Sequence, residues 1–207
     1  MLTELDVVNS CLATLGESPL NSIDPDHPFV PSAQTMLARA MVQEQGKGWW
    51  FNTDFMALMP DPVTKFVYFP NDAITVDTGG NAYVQRGRRL WNRATSTYEI
   101  GEGVYVKIVR KVPFDELPEL ANQLVGDRAV MDFQHEFDGD AQKYGKLKDI
   151  YNQSFITIKA EEIRQQKANL HDSQTVQQKL AQFRPVSRYS NAYVGNGLGG
   201  IRNIGVF

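Results

Sequence analysis

KGWWFNTDFMALM, residues 47–59, divides this 207-residue chain into two kinds of pattern. Before it, apolar side chains recur every three or four positions. From Lys47 onward they come in short β-rich runs with a period of two. A helix shows one face every 3.6 residues and a strand every second residue, so the change of period marks the end of one layer and the start of another. On the upstream side, Thr3 is placed to cap a helix with Asp6 in its first turn, and Leu5, Val8, Leu12 and Leu15 form a stripe that Gly16 ends. Residues 17–31, with four prolines, read as a loop. Ser32 is expected to cap a second helix with the stripe Ala33, Met36, Leu37, Ala40 and Met41, stopping at Gly46. These two helices are expected to pair.

On the downstream side, the runs 49–51, 55–59, 66–69, 74–76, 83–84 and 90–91 are separated by Pro60, Pro62, Pro70, Asn71, Gly79 and Gly80. Tyr83 to Trp91 reads as a hairpin turning near Arg86-Gly87. Val104 to Val112 is the longest strand candidate, with Val104, Val106 and Ile108 on its more apolar face. Helical periodicity returns after Pro113. Asp115 and Glu116 precede Pro118 where a first turn tolerates proline and favours negative charge. This third helix is expected to reach Phe137 and the turn Asp138-Gly139-Asp140. A fourth, from Asp140, carries the stripe Tyr144, Leu147, Tyr151, Phe155 and Ile158; unbroken to Lys167 it would span about 40 Å at ~1.5 Å per residue. Residues 173–183 are glutamine-rich and form a short helix candidate. The order αα, β, αα predicts an α+β fold: a bundle of four main helices, an inserted antiparallel β region and an extended C-terminal arm. The expected domains are a discontinuous helical domain of residues 1–46 and 114–183, a β domain of 47–113, and the arm, 184–207.

The arm, RPVSRYSNAYVGNGLGGIRNIGVF, holds five glycines, three arginines and no acid. Ordering each backbone residue costs roughly 1–2 kcal/mol, which a stretch this rich in glycine cannot recover alone. Its apolar content is too high for a solvated linker. The reading is a docking arm in which Arg184, Arg188, Tyr189, Tyr193, Leu198, Ile201, Ile204 and Phe207 grip a partner surface, extended along it as an added strand. A frayed terminus is the other reading.

Charge alternates along the chain. Residues 1–46 carry six acids and one base, and 115–140 carry eight and one, whereas 47–113, 141–183 and the arm are each basic by three. Solvated faces and head-to-tail matching between subunits explain such blocks better than a uniformly basic nucleic-acid surface does. The single cysteine, Cys11, sits on an apolar helical face and reads as core. No signal peptide and no membrane-length apolar run is evident, so a soluble protein of a reducing compartment is expected.

Catalytic constellations are wanting. His27, His135 and His171 are scattered, with no i, i+4 pair to hold a metal. Asp24-Pro25-Asp26 and Asp138-Gly139-Asp140 lack the continuation of a calcium loop, and Gly79-Gly80 and Lys47-Gly48 fit no phosphate-binding pattern. No catalytic, metal or cofactor-binding residue is assigned. Asp61, Asp72, Asp77, Glu99 and Glu102 are the carboxylates a glycan-cleaving enzyme would draw on. Arg86, Arg88, Arg89 and Arg93, with Tyr83 and Trp91 among them, suit either a phosphate-and-stacking surface or a subunit interface. The interface is favoured because acidic blocks flank the cluster.

Four of these segments resemble the tail tubular protein A family, the head-to-tail adaptor of short-tailed bacteriophages. Residues 7–17, VVNSCLATLGE, are similar to its first helix and Leu-Gly-Glu ending. Gly48-Trp49-Trp50-Phe51-Asn52 resembles its Gly-Trp-x-Phe-Asn, Tyr83-Val84-Gln85-Arg86-Gly87 its hairpin, and Phe114-Asp115-Glu116-Leu117-Pro118-Glu119 the opening of its third helix. Order and spacing agree from about residue 3 to 165. Lys47 stands where arginine is usual, Ser18 where proline is common, and the glutamine-rich segment and arm do not align. The resemblance implies a virion protein of the head-tail interface, made in the host cytoplasm, without catalysis, cofactor or membrane. It implies a dodecameric ring between the portal protein and the tail nozzle (tail tubular protein B), with DNA passing through the bore without specific binding. In that setting the arm is expected to run up the portal and the sheet loops, with Arg86, Arg88, Arg89, Trp91 and Arg93, to meet a neighbouring subunit or the nozzle. Acidic faces from 1–46 or 115–140 along the bore would repel DNA and let it slide. The rival functions are the glycan-cleaving enzyme and a free nucleic-acid binder.

Overall fold

The computed structural model describes residues 2–165. In chain order these form α1 (Glu4–Thr14), α2 (Val30–Gln45), β1 (Thr53–Leu58), β2 (Ala73–Asp77), β3 (Tyr83–Arg86), β4 (Arg89–Asn92), β5 (Val104–Arg110), a 3₁₀ turn (Phe114–Glu116), α3 (Glu119–Phe137) and α4 (Ala141–Gln165). Four helices with antiparallel strands between the second and third make the α+β architecture that the element order predicts. The glutamine-rich segment 173–183 and the whole arm 184–207, with Arg184, Arg188, Tyr189, Tyr193, Leu198, Ile201, Ile204 and Phe207, lie outside the described residues, as does His171.

The helical part is built around α3, which packs against each of the other three helices. Val8, Cys11 and Leu12 of α1, Ala33, Leu37 and Ala40 of α2, Leu124, Ala129 and Phe133 of α3, and Ile158 of α4 form its core. Each large side chain buried in this way contributes roughly 1.5–3 kcal/mol. Gly126 lets α1 come close: a Cβ there would stand 3.1 Å from Leu2 Cδ2 and 3.2 Å from Val7 Cγ2. The start of α1 follows its sequence. Thr3 Oγ1 accepts from the Asp6 N–H (3.2 Å) and Asp6 Oδ2 accepts from the Thr3 N–H (2.9 Å), a reciprocal cap.

The start of α2 does not follow the expectation. The helix begins at Val30, with Phe29 at the cap position and Pro31 in the first turn, so Ser32 is already helical and caps nothing. Phe29 meets Phe137 at the end of α3 edge-on at 6.0 Å. A tertiary contact therefore sets this helix start, and Pro31 loses no bond there because first-turn N–H groups have no helical acceptor. In α4 the stripe Tyr144, Leu147, Tyr151, Phe155 and Ile158 faces inward. Its 25 described residues span about 37 Å.

The strands form a three-stranded antiparallel sheet in the order β1-β5-β2 and a separate β3-β4 hairpin. Val104, Val106 and Ile108 point inward, onto a second core of Val67, Phe69, Leu90 and Ile100, while Tyr105 and Lys107 point out. The hairpin turns on Gly87 and Arg88; Gly87, at φ +60°, takes the left-handed conformation such a turn needs. Two expected β runs are not strands. Residues 66–69 form only single bridges, Phe66 to Glu99 and Tyr68 to Arg89. Residues 49–51 are a turn that returns Trp49 to the helical core, its indole N–H donating to the Glu44 carbonyl at 2.8 Å.

Two buried amides pin the β insertion to the bundle. Gln45 Nε2 donates to the Val112 carbonyl (2.9 Å), and the Val112 N–H donates to Gln45 Oε1 (2.7 Å). Asn52 Oδ1 accepts from the Trp49 N–H (2.8 Å), and its Nδ2 donates to the carbonyls of Gln45 (2.9 Å) and Arg110 (3.0 Å). The outgoing and returning chains are thus tied to each other beneath the sheet. Beside them the buried Glu44 carboxylate accepts from Lys47 Nζ and, at 3.0 Å, from the Tyr151 hydroxyl. Lys47 Nζ also donates to Tyr151 (2.9 Å), so one cation links α2, α4 and the chain leading into β1.

Candidate functional site

The register of the hairpin opposes Arg86 to Arg89 and Val84 to Trp91. Directly opposed residues share a face, as do residues two apart, so Val84, Arg86, Arg89 and Trp91 stand on one side. Leu90 points the other way, into the β core. Two like charges directly opposed repel, and rings offset this here. The Arg86 guanidinium carbon lies 4.2 Å from the Trp91 ring centre; that of Arg89 lies 4.2 Å from Tyr98 and 5.4 Å from Phe66. Trp91 and Tyr98 meet edge-on at 4.6 Å, and Phe66 stands 5.9 Å from Tyr98. Each cation–ring contact at such a site contributes about 0.5–1 kcal/mol. The outcome is a layered face, Arg86–Trp91–Tyr98–Arg89–Phe66, with Tyr68 exposed at its margin.

Of the residues assigned from sequence, the fold brings Arg86, Arg89 and Trp91 into this face. Arg88, exposed in the turn, instead donates from Nη2 to the Phe69 carbonyl at 3.2 Å, and Arg93 is exposed just past β4. Tyr83 lies on the opposite side, against the β core. Phe66 and Tyr98 were missed, because their segments meet the hairpin at isolated bridges, Tyr68–Arg89 and Asn92–Thr97, that leave no period in the sequence. None of the four guanidiniums pairs with a carboxylate among the described residues.

The motifs that carry the resemblance hold the fold's junctions. VVNSCLATLGE is α1 and its glycine stop, Gly48 to Asn52 is the clamped turn under the sheet, Tyr83 to Gly87 is β3 with its turn, and Phe114 to Glu119 is the 3₁₀ turn that opens α3. Compared with known proteins, the chain matches the tail tubular protein family from residue 5 to 180. It belongs to that family. It is also 28% identical over 177 residues to Tail tubular protein A of Klebsiella phage KP34, a match covering 76% of this chain and 92% of the relative. This tail tubular family member is accordingly a structural component of a bacteriophage tail, and its place is the virion tail.

A structural role agrees with how the carboxylates of the β region are engaged. Asp61 Oδ1 accepts from the N–H groups of Thr64 (2.8 Å) and Val63 (3.0 Å), which hold its carboxyl below the usual range and close a turn. Asp72 pairs with Arg110 at 3.2 Å, and Asp77 accepts from the Gly79 N–H at 2.9 Å. Glu99 and Glu102 are exposed. A general acid needs a raised pKa, and Asp61 has the reverse. Asp127 of α3 is raised by burial, partly offset by hydrogen bonds from Ser154 and Gln123, and it lines a groove of about 420 Å³ between α1, α3 and α4. Leu2, Val7, Val130, Leu147 and Ile150 also line it, and its two wall hydroxyls, of Ser10 and Thr14, donate to the α1 carbonyls of Asp6 and Cys11. Cys11 is wholly buried, and burial pushes its thiol up to about 12, which leaves it inert. His27 accepts from the Phe29 N–H, and His135 meets Tyr144 at a tilt with ring centres 5.2 Å apart, each in its own neighbourhood.

Proposed function

We propose that this family member is the ring-forming adaptor between the portal of the capsid and the tail nozzle, and that its bore forms part of the conduit through which DNA leaves. The observation that carries the reading is the arginine–aromatic face: a preformed, cationic and apolar surface, on an insertion clamped at both crossings, whose guanidiniums meet no carboxylate among the described residues. Arginine and aromatic anchors of this type dominate the binding energy of protein interfaces, and a rigid scaffold limits the entropy lost on docking. In this reading the helical domain (1–46 and 114–183) forms the body of the ring. The β domain (47–113) offers Arg86, Arg88, Arg89, Trp91 and Arg93 to a neighbour or to the nozzle, and the arm (184–207) grips the portal. Twelve copies follow from the family resemblance. DNA passes without specific contacts, repelled by acidic faces drawn from 1–46 and 115–140.

The test is the mass of the full chain, alone and mixed with its portal, beside a chain ending at Phe183. A ring-sized complex is expected with the full chain and lost without the arm. Full and shortened chains that both ignore the portal would overturn the adaptor reading.

A further inference from the structure

The outer face of the three-stranded sheet is bare. Phe55, 80% exposed, stands on it directly opposite Lys107, and Tyr105, 82% exposed, stands opposite Ala57. Met59, at the end of β1, continues the apolar strip. On the other side of β5, Asp77 is opposite Lys107, but its carboxylate is taken by the Gly79 N–H, and Lys107 makes no ion pair among the described residues. Apolar side chains clustered in this way on one face mark a contact surface. The edge strand β1 borders the strip and has no neighbour on its far side among the described residues.

A second bare strip runs along α4. Asp149, Ile156 and Ile163 recur at intervals of seven, which on a helix is two turns less about 20°, so they stand in line. Ile156 is 67% and Ile163 57% exposed. Asn152, Gln153 and Ala160 lie between them without charge, and the lysine that also falls there, Lys159, is turned to Glu162 and the Trp49 ring. Depletion of charge at the centre of a surface patch is the compositional mark of an interface core. Asp149 is exposed and in no ion pair among the described residues.

The two strips belong to adjoining parts of the subunit. The later half of α4 lies beside the base of the sheet: Phe155 meets Trp49 at 5.9 Å, Lys159 Nζ lies 5.1 Å from the Trp49 ring, and Trp49 is held by Asn52, the residue before β1. The sheet and α4 are different faces, and a second copy can bring the sheet of one against α4 of the next. A ring contact requires just this, two different faces joined by a rotation that closes. Charge also matches, with the lysine at the rim of the sheet strip and the carboxylate at one end of the helix strip.

We propose that neighbouring copies associate by seating Phe55 and Tyr105 of one sheet on the Asp149–Ile156–Ile163 face of α4 of the next, with Lys107 meeting Asp149. The inference rests on the ring reading only in needing a second copy of this chain. The decisive experiment replaces Tyr105 of the full-length protein with a photoreactive phenylalanine and maps the cross-links formed by concentrated protein and by assembled tails. Cross-links to residues 149–163 of another copy are expected. Cross-links to residues 184–207, to another tail protein or to a different part of the chain would overturn the proposal, as would none. Capture of another tail protein would leave the adaptor function standing while removing this contact; α4 cross-links in a chain that ignores the portal would do the reverse. As a second readout, Lys107→Asp and Asp149→Lys should each weaken self-association by about tenfold, a difference of ~1.4 kcal/mol, and together restore it. Two additive losses would overturn the pairing.

Discussion

Gln45 shows how much one side chain does here. Its amide donates to and accepts from the backbone of Val112, imitating one rung of a sheet between the end of α2 and the returning chain. Gln45→Ala strands the part-buried N–H and carbonyl of Val112, each at the lower end of the roughly 1–3 kcal/mol that a fully buried group costs. Urea unfolding of the variant should show a loss of at least that size, whereas Arg93→Ala, on the surface, should change little. Cys11 makes a prediction of opposite character. Burial raises its thiol from the ordinary 9.0 to about 12. Between those values the unfolded chain releases a proton that the folded chain keeps, so the unfolded state binds fewer protons and stability falls as pH rises from about 9 towards 12, by roughly 1.4 kcal/mol per unit. Cys11→Ala should remove that slope from an alkaline unfolding series. Alkylation of the native thiol at pH 8 should be slow until denaturant is added.

Among the elements, the β3–β4 hairpin separates stability from contact. Its inner residue Leu90 is wholly buried, and Leu90→Ala should cost about 2–5 kcal/mol, read by thermal or urea unfolding. Its outer residues act on the surface, so Arg86→Ala, with one ring contact, should cost less than about 1 kcal/mol and Arg89→Ala, with two, about 1–2 kcal/mol. In the adaptor reading the same arginine variants weaken partner binding well beyond their effect on stability. How legible this element was is also plain. The strands, the turn and the arginines could be read from alternation and from Gly87, because a hairpin obeys rules acting over a few residues. Phe66 and Tyr98 could not, since they enter the stack from segments joined to it by single bridges. Thr3 repeats the first case: its reciprocal cap with Asp6 was legible, and Thr3→Ala should cost about 1 kcal/mol by the same unfolding measurement.

At the scale of the whole molecule, a helical body carries a sheet through two clamped crossings, and acidic and basic blocks alternate along the chain. Association driven by exposed charge fades when the screening length drops, from about 10 Å at 0.1 M salt to about 3 Å at 1 M. Binding through the arginine–aromatic face should therefore weaken as salt rises, measured by the mass of the complex across a salt series. The apolar contact proposed between sheet and α4 should persist. The sequence alone determined the helical stripes, the cap of α1, the inward face of β5, the α+β order and, through motifs at the junctions, the family, because periods, caps and turns are settled by neighbours within a few positions. Only the tertiary structure decided that α2 starts at Val30 against Phe137, that Trp49 turns back into the helical core, that Phe66 and Tyr98 complete the arginine face, and that Phe55 and Tyr105 stand uncovered. Each of these depends on which distant segments come to lie side by side, and long-range packing leaves no local period to read.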